Sequence, residues 1–91
     1  MLPRPCVVSI PDANLAAAVR DALGLRRFVN ITQLDMLKLT DLFAENQQIK
    51  DLTGLTHAKN LKYLFLSQNQ IKDIAILENL PNLAVLLLSS N

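Results

Sequence analysis

Ninety-one residues suit one small domain, 51% hydrophobic and only 4% aromatic, so its core must be aliphatic. Nine Lys and Arg against eight Asp and Glu leave a formal charge of +1, with no basic cluster beyond Arg4 and the pair Arg26-Arg27, so nothing points to nucleic acid or an anionic membrane. A single cysteine, Cys6, excludes an internal disulfide framework and a cysteine-based zinc site.

The chain opens with "MLPRPCVVSI", which carries one arginine, two prolines and only a brief apolar run. It lacks the apolar core of roughly 7–15 residues that a secretory signal needs. No stretch reaches the ~18 apolar residues that would span a bilayer, so no membrane insertion is expected. Residues 1–9 read as an N-terminal arm in which the Cys6 thiol is incidental. "IPDANLAAAVRDALGL" then gives an amphipathic helix, with Asp12 as N-cap behind Ile10 and Gly24 as the stop. Leu15, Val19, Ala22 and Leu23 fall on one face, and Ala16, Ala17 and Ala18 favour helix and close packing. "LRRFVN", Leu25 to Asn30, is irregular and reads as the inter-helix loop. Thr32 opens a second helix, with Asp35 completing an imperfect capping box and Leu34, Met36 and Leu37 as packing candidates. Residues 10–38 together form a helical cap.

From Leu39 a period of 22 residues takes over. Leu61, Leu64, Leu66 and Asn69 repeat as Leu83, Leu86, Leu88 and Asn91. In the other direction Leu61, Leu64, Ile71, Lys72, Asp73 and Leu77 fall on Leu39, Leu42, Ile49, Lys50, Asp51 and Leu55. Asn60 likewise falls on Asn82. Residues 39–91 thus hold two full repeats and a truncated third, forming one domain with the cap. Leu64 and Leu66, two apart, are strand neighbours on one face, and Phe65 between them points the other way. Leu61, Ile71, Ile74, Leu77 and Leu80 cannot share that short strand. They come from segments that curl round and re-enter the core, so each coil closes on itself and needs its neighbour to cover its apolar edge. Asn69 and Asn91 sit where the chain turns after the strand. An amide there both donates and accepts, and can satisfy backbone groups that are costly to bury unpaired. The first coil departs from the rule: Gln47 holds the asparagine position, Asn46 comes one residue early, and Ala44 replaces the leucine.

The rule L-x-x-L-x-L-x-x-N-x-I/L resembles the signature of the leucine-rich repeat family. "IPDANLAAAVRDALG", "ITQLDMLKLTDL" and "IKDLTGL" resemble the start of internalin-like bacterial members, and the likeness runs from Ile10 to Asn91. It implies an α/β fold: a right-handed solenoid with parallel β-strands on the concave face and an N-terminal α-helical cap. It also implies a non-enzymatic module that binds a protein partner, often at a cell surface or in host contact, and hence a secreted or cell-surface setting.

The residues themselves offer little chemistry. His57, the only histidine, has no cysteine or carboxylate at metal spacing and reads as a solvent-facing convex-side residue. Ser67, Ser89 and Ser90 have no triad context, and Gly54 cannot build a phosphate loop. Asp12, Asp51 and Asp73 stand where turns or short helices begin, so capping is the better reading. No catalytic group, cofactor or metal is expected. The informative residues are the outward ones: Asp41, Phe43, Glu45; then Tyr63, Phe65, Ser67; then Val85, Leu87, Ser89. In-register parallel strands would stack Phe43, Phe65 and Leu87 in a column with Tyr63 and Val85 beside it, a candidate contact surface. Cross-strand covering is the plainer alternative. The sequence stops at Asn91, midway through the third coil. The expectation is either the first piece of a longer array, or a small protein whose open edge, Val85 to Ser90, makes a homo-oligomer with another copy.

Overall fold

The computed structural model describes residues 6–91, and the helices appear where the sequence caps them. Helix α1 spans Ala13–Leu23, with Asp12 as N-cap; Gly24 ends it in the left-handed region at φ 70°, donating its N–H back to the last turn. Leu15, Ala16 and Val19 are buried and Leu23 packs against the core. Ala22 is exposed, contrary to expectation, because the buried face turns through Ala16 instead. Helix α2, Gln33–Leu37, carries a complete capping box. The Thr32 hydroxyl accepts from the Asp35 N–H at 3.2 Å, and the Asp35 carboxylate accepts from the Thr32 N–H at 3.0 Å. So short a helix buries one residue, Met36, while Leu34 and Leu37 remain 59% and 42% exposed against expectation.

The stretch after Cys6 belongs to this cap. Val7 and Thr32 form an antiparallel bridge, the Val8 N–H donates to the Ile31 carbonyl at 2.7 Å, and Val8 and Ile31 are buried. Gly54 makes room for it. A Cβ there would lie 2.7 Å from the Ser9 carbonyl oxygen and 2.8 Å from the Ile10 side chain, and its φ of +104° suits glycine alone.

Three short strands follow: β1 (Asp41–Phe43), β2 (Tyr63–Phe65) and β3 (Val85–Leu87). They pair in parallel in the order β1-β2-β3, with Asp41 beside Tyr63 beside Val85 and Phe43 beside Phe65 beside Leu87. The register equals the sequence period. Each coil returns through its outer side, where 3-10 helices form at Leu55–His57 and Ala75–Asn79. His57 is half-buried on the first of these, less open than expected. The result is a right-handed solenoid of 22-residue coils with parallel strands on its concave face and a helical cap at one end.

Leu39, Leu42, Ala44, Ile49, Leu52, Leu55, Leu61, Leu64 and Leu66 form one buried aliphatic core with Leu15, Val19 and Met36 of the cap. Burial fades in the last coil. Leu77 and Leu80 are still covered, but Ile74 is 47% exposed although its counterpart Leu52 is buried. Leu86 is 36% exposed where Leu64 is fully buried. Among the described residues, a further coil covers Leu52 and Leu64, and none covers Ile74 and Leu86.

The turns after the strands also repeat. Asn46, Gln68 and Ser90, spaced by the period, all take left-handed backbone at φ 54°, 62° and 63°. Asn tolerates that region best among non-glycine residues, which explains its early place in the first coil. The next position, Asn69, is buried and uses its whole amide. It accepts from the N–H groups of Gln47 (2.9 Å) and Ile49 (3.1 Å) and donates to the carbonyls of Ala44 and Leu66 (both 2.8 Å). Asn91 repeats the pattern one coil on, accepting from Ile71 and donating to Leu66 and Leu88. Each asparagine thus serves the coil before it as well as its own, so Gln47, in the first coil, has no such duty. A second pair, Asn60 and Asn82, ties the outer sides together, donating to the carbonyls of Leu37 (2.8 Å) and Lys59 (2.9 Å).

Candidate partner-contact face

The residues that alternate with the core leucines define the concave surface. Phe43 and Phe65 stack across β1 and β2 with ring centroids 4.9 Å apart and planes within 6°. Phe43 remains 65% exposed, Leu87 43% and Tyr63 42%, while Phe65 and Val85 are half-buried. Asp41 and Glu45 are exposed beside Phe43, giving that end of the column an acidic border. Ser67 is different. It is only 9% exposed, contrary to expectation, because the flanking coils close over so short a side chain in the middle of the array; Glu45 and Ser89 at the same position stay open.

The turn carboxylates are occupied by backbone N–H groups and, at Asp51, by a neighbouring hydroxyl. Asp51 accepts from the Thr53 hydroxyl (2.6 Å) and N–H (2.9 Å), and Asp73 accepts from the Ala75 N–H at 3.0 Å. The Thr53 bonds hold the Asp51 carboxyl below its usual pKa. At Asp12, desolvation pushes the pKa up, but N–H donors from Lys50, Asp51, Leu15 and Asn14 outweigh it and the net shift is downward. These groups are structural anchors, as their capping spacing suggests. Among the described residues no three His, Cys, Asp or Glu side chains are grouped to hold a metal ion, and no helix is long and apolar enough to cross a membrane.

One large exposed residue lies in the inter-helix loop. Phe28 sits in "LRRFVN" with 89% of its surface exposed and left-handed backbone at φ 66°. It shares a cleft of about 560 Å³ with Phe43 and the side of α1. A lone phenylalanine between arginine and valine carries no periodic signal, so only the folded chain brings it to Phe43.

The comparisons with known proteins agree with this geometry. The family model for leucine-rich repeats (two copies) matches residues 59–91. Internalin C2 of Listeria monocytogenes superposes over 99% of this chain and 41% of its own, with a TM-score of 0.87 and 33% identity. Another internalin of that organism, inlF, superposes over 93% of this chain and 26% of its own, at 0.84 and 32%. The structure of the CBM51-2 and INT domains of Clostridium perfringens ZmpB is similar over 93% of this chain and 18% of its own, at 0.82 and 35%. This chain thus spans less than half of each of these structures. No curated protein sequence matches it significantly. The helical cap, the 22-residue register, the asparagine ladder and these likenesses together give the chain the leucine-rich repeat fold in its internalin-like form.

Proposed function

We propose that the chain is a non-enzymatic protein-interaction module whose concave strand face takes a protein partner. The leucine-rich repeat fold and the likeness to internalins support the general role. The observation that carries the finer reading is the aromatic and aliphatic column of Phe43, Phe65 and Leu87, flanked by Tyr63 and Val85 and bordered by Asp41 and Glu45.

Cross-strand stacking does not account for the column. An aromatic pair gains about 0.5–1.5 kcal/mol beyond its area. Phe43, 65% exposed, leaves on the order of 100 Å² of ring in water. At ~25 cal/mol per Å² that is about 2.5 kcal/mol of burial not taken up. A partner that covers the column recovers it, and exposed aromatics of this kind are favoured anchors.

The test is affinity enrichment with matched variants. Tyr63→Ser and Phe65→Ser should keep the circular dichroism of the parent and lose the protein that the parent retains. Lys72→Ser, outside the strand face, should keep it. Full retention by both strand-face variants would rule out the concave column.

A second reading has its own observation: Leu86 on the core side of the edge strand β3 and Leu87 on its concave side are both exposed. Assembly of two copies through Val85–Ser90 would cover them. Light scattering over a concentration series tests this; a monomer at every concentration excludes it.

A further inference from the structure

We propose that the cleft between α1 and β1 seats an aromatic side chain from an acidic segment of the protein partner. This rests on the reading of the chain as a protein-interaction module and names the chemistry of one contact.

Three observations support it. The first is the cleft itself, about 560 Å³, lined on its apolar side by Ala17, Ala18, Leu25, Phe28 and Phe43. Its small alanines leave width for a ring, and Phe28 and Phe43 supply faces against which one can stack. The second is the display of Phe28. A bulky residue at φ 66° is a backbone outlier, and here the same residue is 89% exposed. Nothing in the packing rewards that arrangement, yet it is held in place. The Arg20 Nε–H donates to the Val29 carbonyl at 2.8 Å, and the Val29 N–H donates to the Arg26 carbonyl at 3.4 Å, closing the turn. Backbone strain kept at an exposed aromatic points to a binding surface. The third is charge. Arg20 and Arg27 line the cleft together with Asp21, and Arg26 adjoins them in the loop, whereas Asp41 and Glu45 flank the Phe43 end. A segment carrying carboxylates is therefore attracted at the loop end and repelled at the strand end, which fixes its direction. Phe43 belongs to both the cleft and the concave column, so one partner chain can run from one to the other.

The test uses the 91-residue chain and three amidated, N-acetylated probe peptides: Ala-Phe-Ala-Asp-Asp, Ala-Phe-Ala-Lys-Lys and Ala-Gly-Ala-Asp-Asp, followed by amide chemical shifts. The acidic phenylalanine peptide should produce saturable shifts at Ala17, Ala18, Leu25 and Phe28. It should bind at least about fivefold more tightly than the lysine peptide. The glycine peptide should give no saturable shift. Phe28→Ser, at an exposed position whose fold the same spectrum checks, should abolish saturation, and Arg27→Ser should reduce the charge preference. Flat shifts, or equal binding of the lysine peptide, would overturn the proposal. Shifts confined to Tyr63, Phe65 and Leu87 would also overturn it while leaving the concave-face reading intact. Saturation at the cleft together with enrichment that survives Tyr63→Ser and Phe65→Ser would uphold the cleft and reject the concave column.

Discussion

Across 38 residues of sequence, the Asp12 carboxylate accepts the backbone N–H of Lys50 at 2.7 Å. Its second donor on that oxygen is the Asp51 N–H at 3.1 Å, while the other oxygen accepts from Asn14 (2.9 Å) and Leu15 (3.2 Å). One side chain therefore starts the cap helix and fastens the first coil to it. Asp12→Ala should cost about 2–3 kcal/mol, an N-cap plus two charge-assisted bonds reduced by solvent exposure. Asp12→Asn keeps an acceptor for the helix but turns N–H groups toward Lys50, and should cost about 1–2 kcal/mol. Urea denaturation measures both.

Because the folded-state pKa of Asp12 is lowered, its contribution is fully present above the ordinary carboxylate value of about 3.9 and is lost as pH falls through the lower folded value. The stability gap between the parent and Asp12→Asn should be level from pH 7 to about 5 and close below about 4. A gap that widens in acid would contradict this assignment.

The two asparagines of the ladder should differ. Asn69→Ala leaves the Ile49 and Gln47 N–H groups and two carbonyls without their partner, and should cost about 3–5 kcal/mol. Asn91 is exposed, so water can replace it, and Asn91→Ala should cost about 1 kcal/mol. Chemical denaturation of the pair checks the contrast.

The sheet makes a similar comparison. Leu64 is fully buried and Leu86, its counterpart on β3, is 36% exposed. Leu64→Ala should cost about 2–5 kcal/mol. Leu86→Ala should cost about 1 kcal/mol, since less area leaves water and the site opens to solvent. A silent Leu64→Ala would mean the inward and outward faces are misassigned, and equal losses would mean that Leu86 is as well covered as Leu64.

Much of this was legible in the residues. The period fixed the register, because each coil must place its leucines over those of the next, and the end signals of both helices are local in sequence. What escaped the sequence is long-range or depends on neighbours. Asp12 shows its helix cap in the chain around it but not its bonds to Lys50 and Asp51. Ile74 and Leu52 fill the same repeat position, and only the presence of a covering coil separates buried from exposed. Leu34 and Leu37 read as packing residues, yet a one-turn helix has room to bury Met36 alone. Ser67 and Phe28 went against type, one closed over by its neighbours and the other held out by a strained turn.

Gly54 offers a sharp check on how the segment after Cys6 is seated. Gly54→Ala sets a Cβ against the Ser9 carbonyl and the Ile10 side chain at a φ of +104°. It should cost about 2–3 kcal/mol and raise hydrogen exchange at the Val8 N–H, which donates to Ile31.

The most direct test of the concave-face account is hydroxyl-radical footprinting of the chain with and without the partner recovered by enrichment. Phe43 and Tyr63, 65% and 42% exposed in the free chain, should be oxidised when free and protected in the complex, with exposed Leu34 on the cap unchanged. Oxidation of Phe43 and Tyr63 that is the same in both states would contradict it.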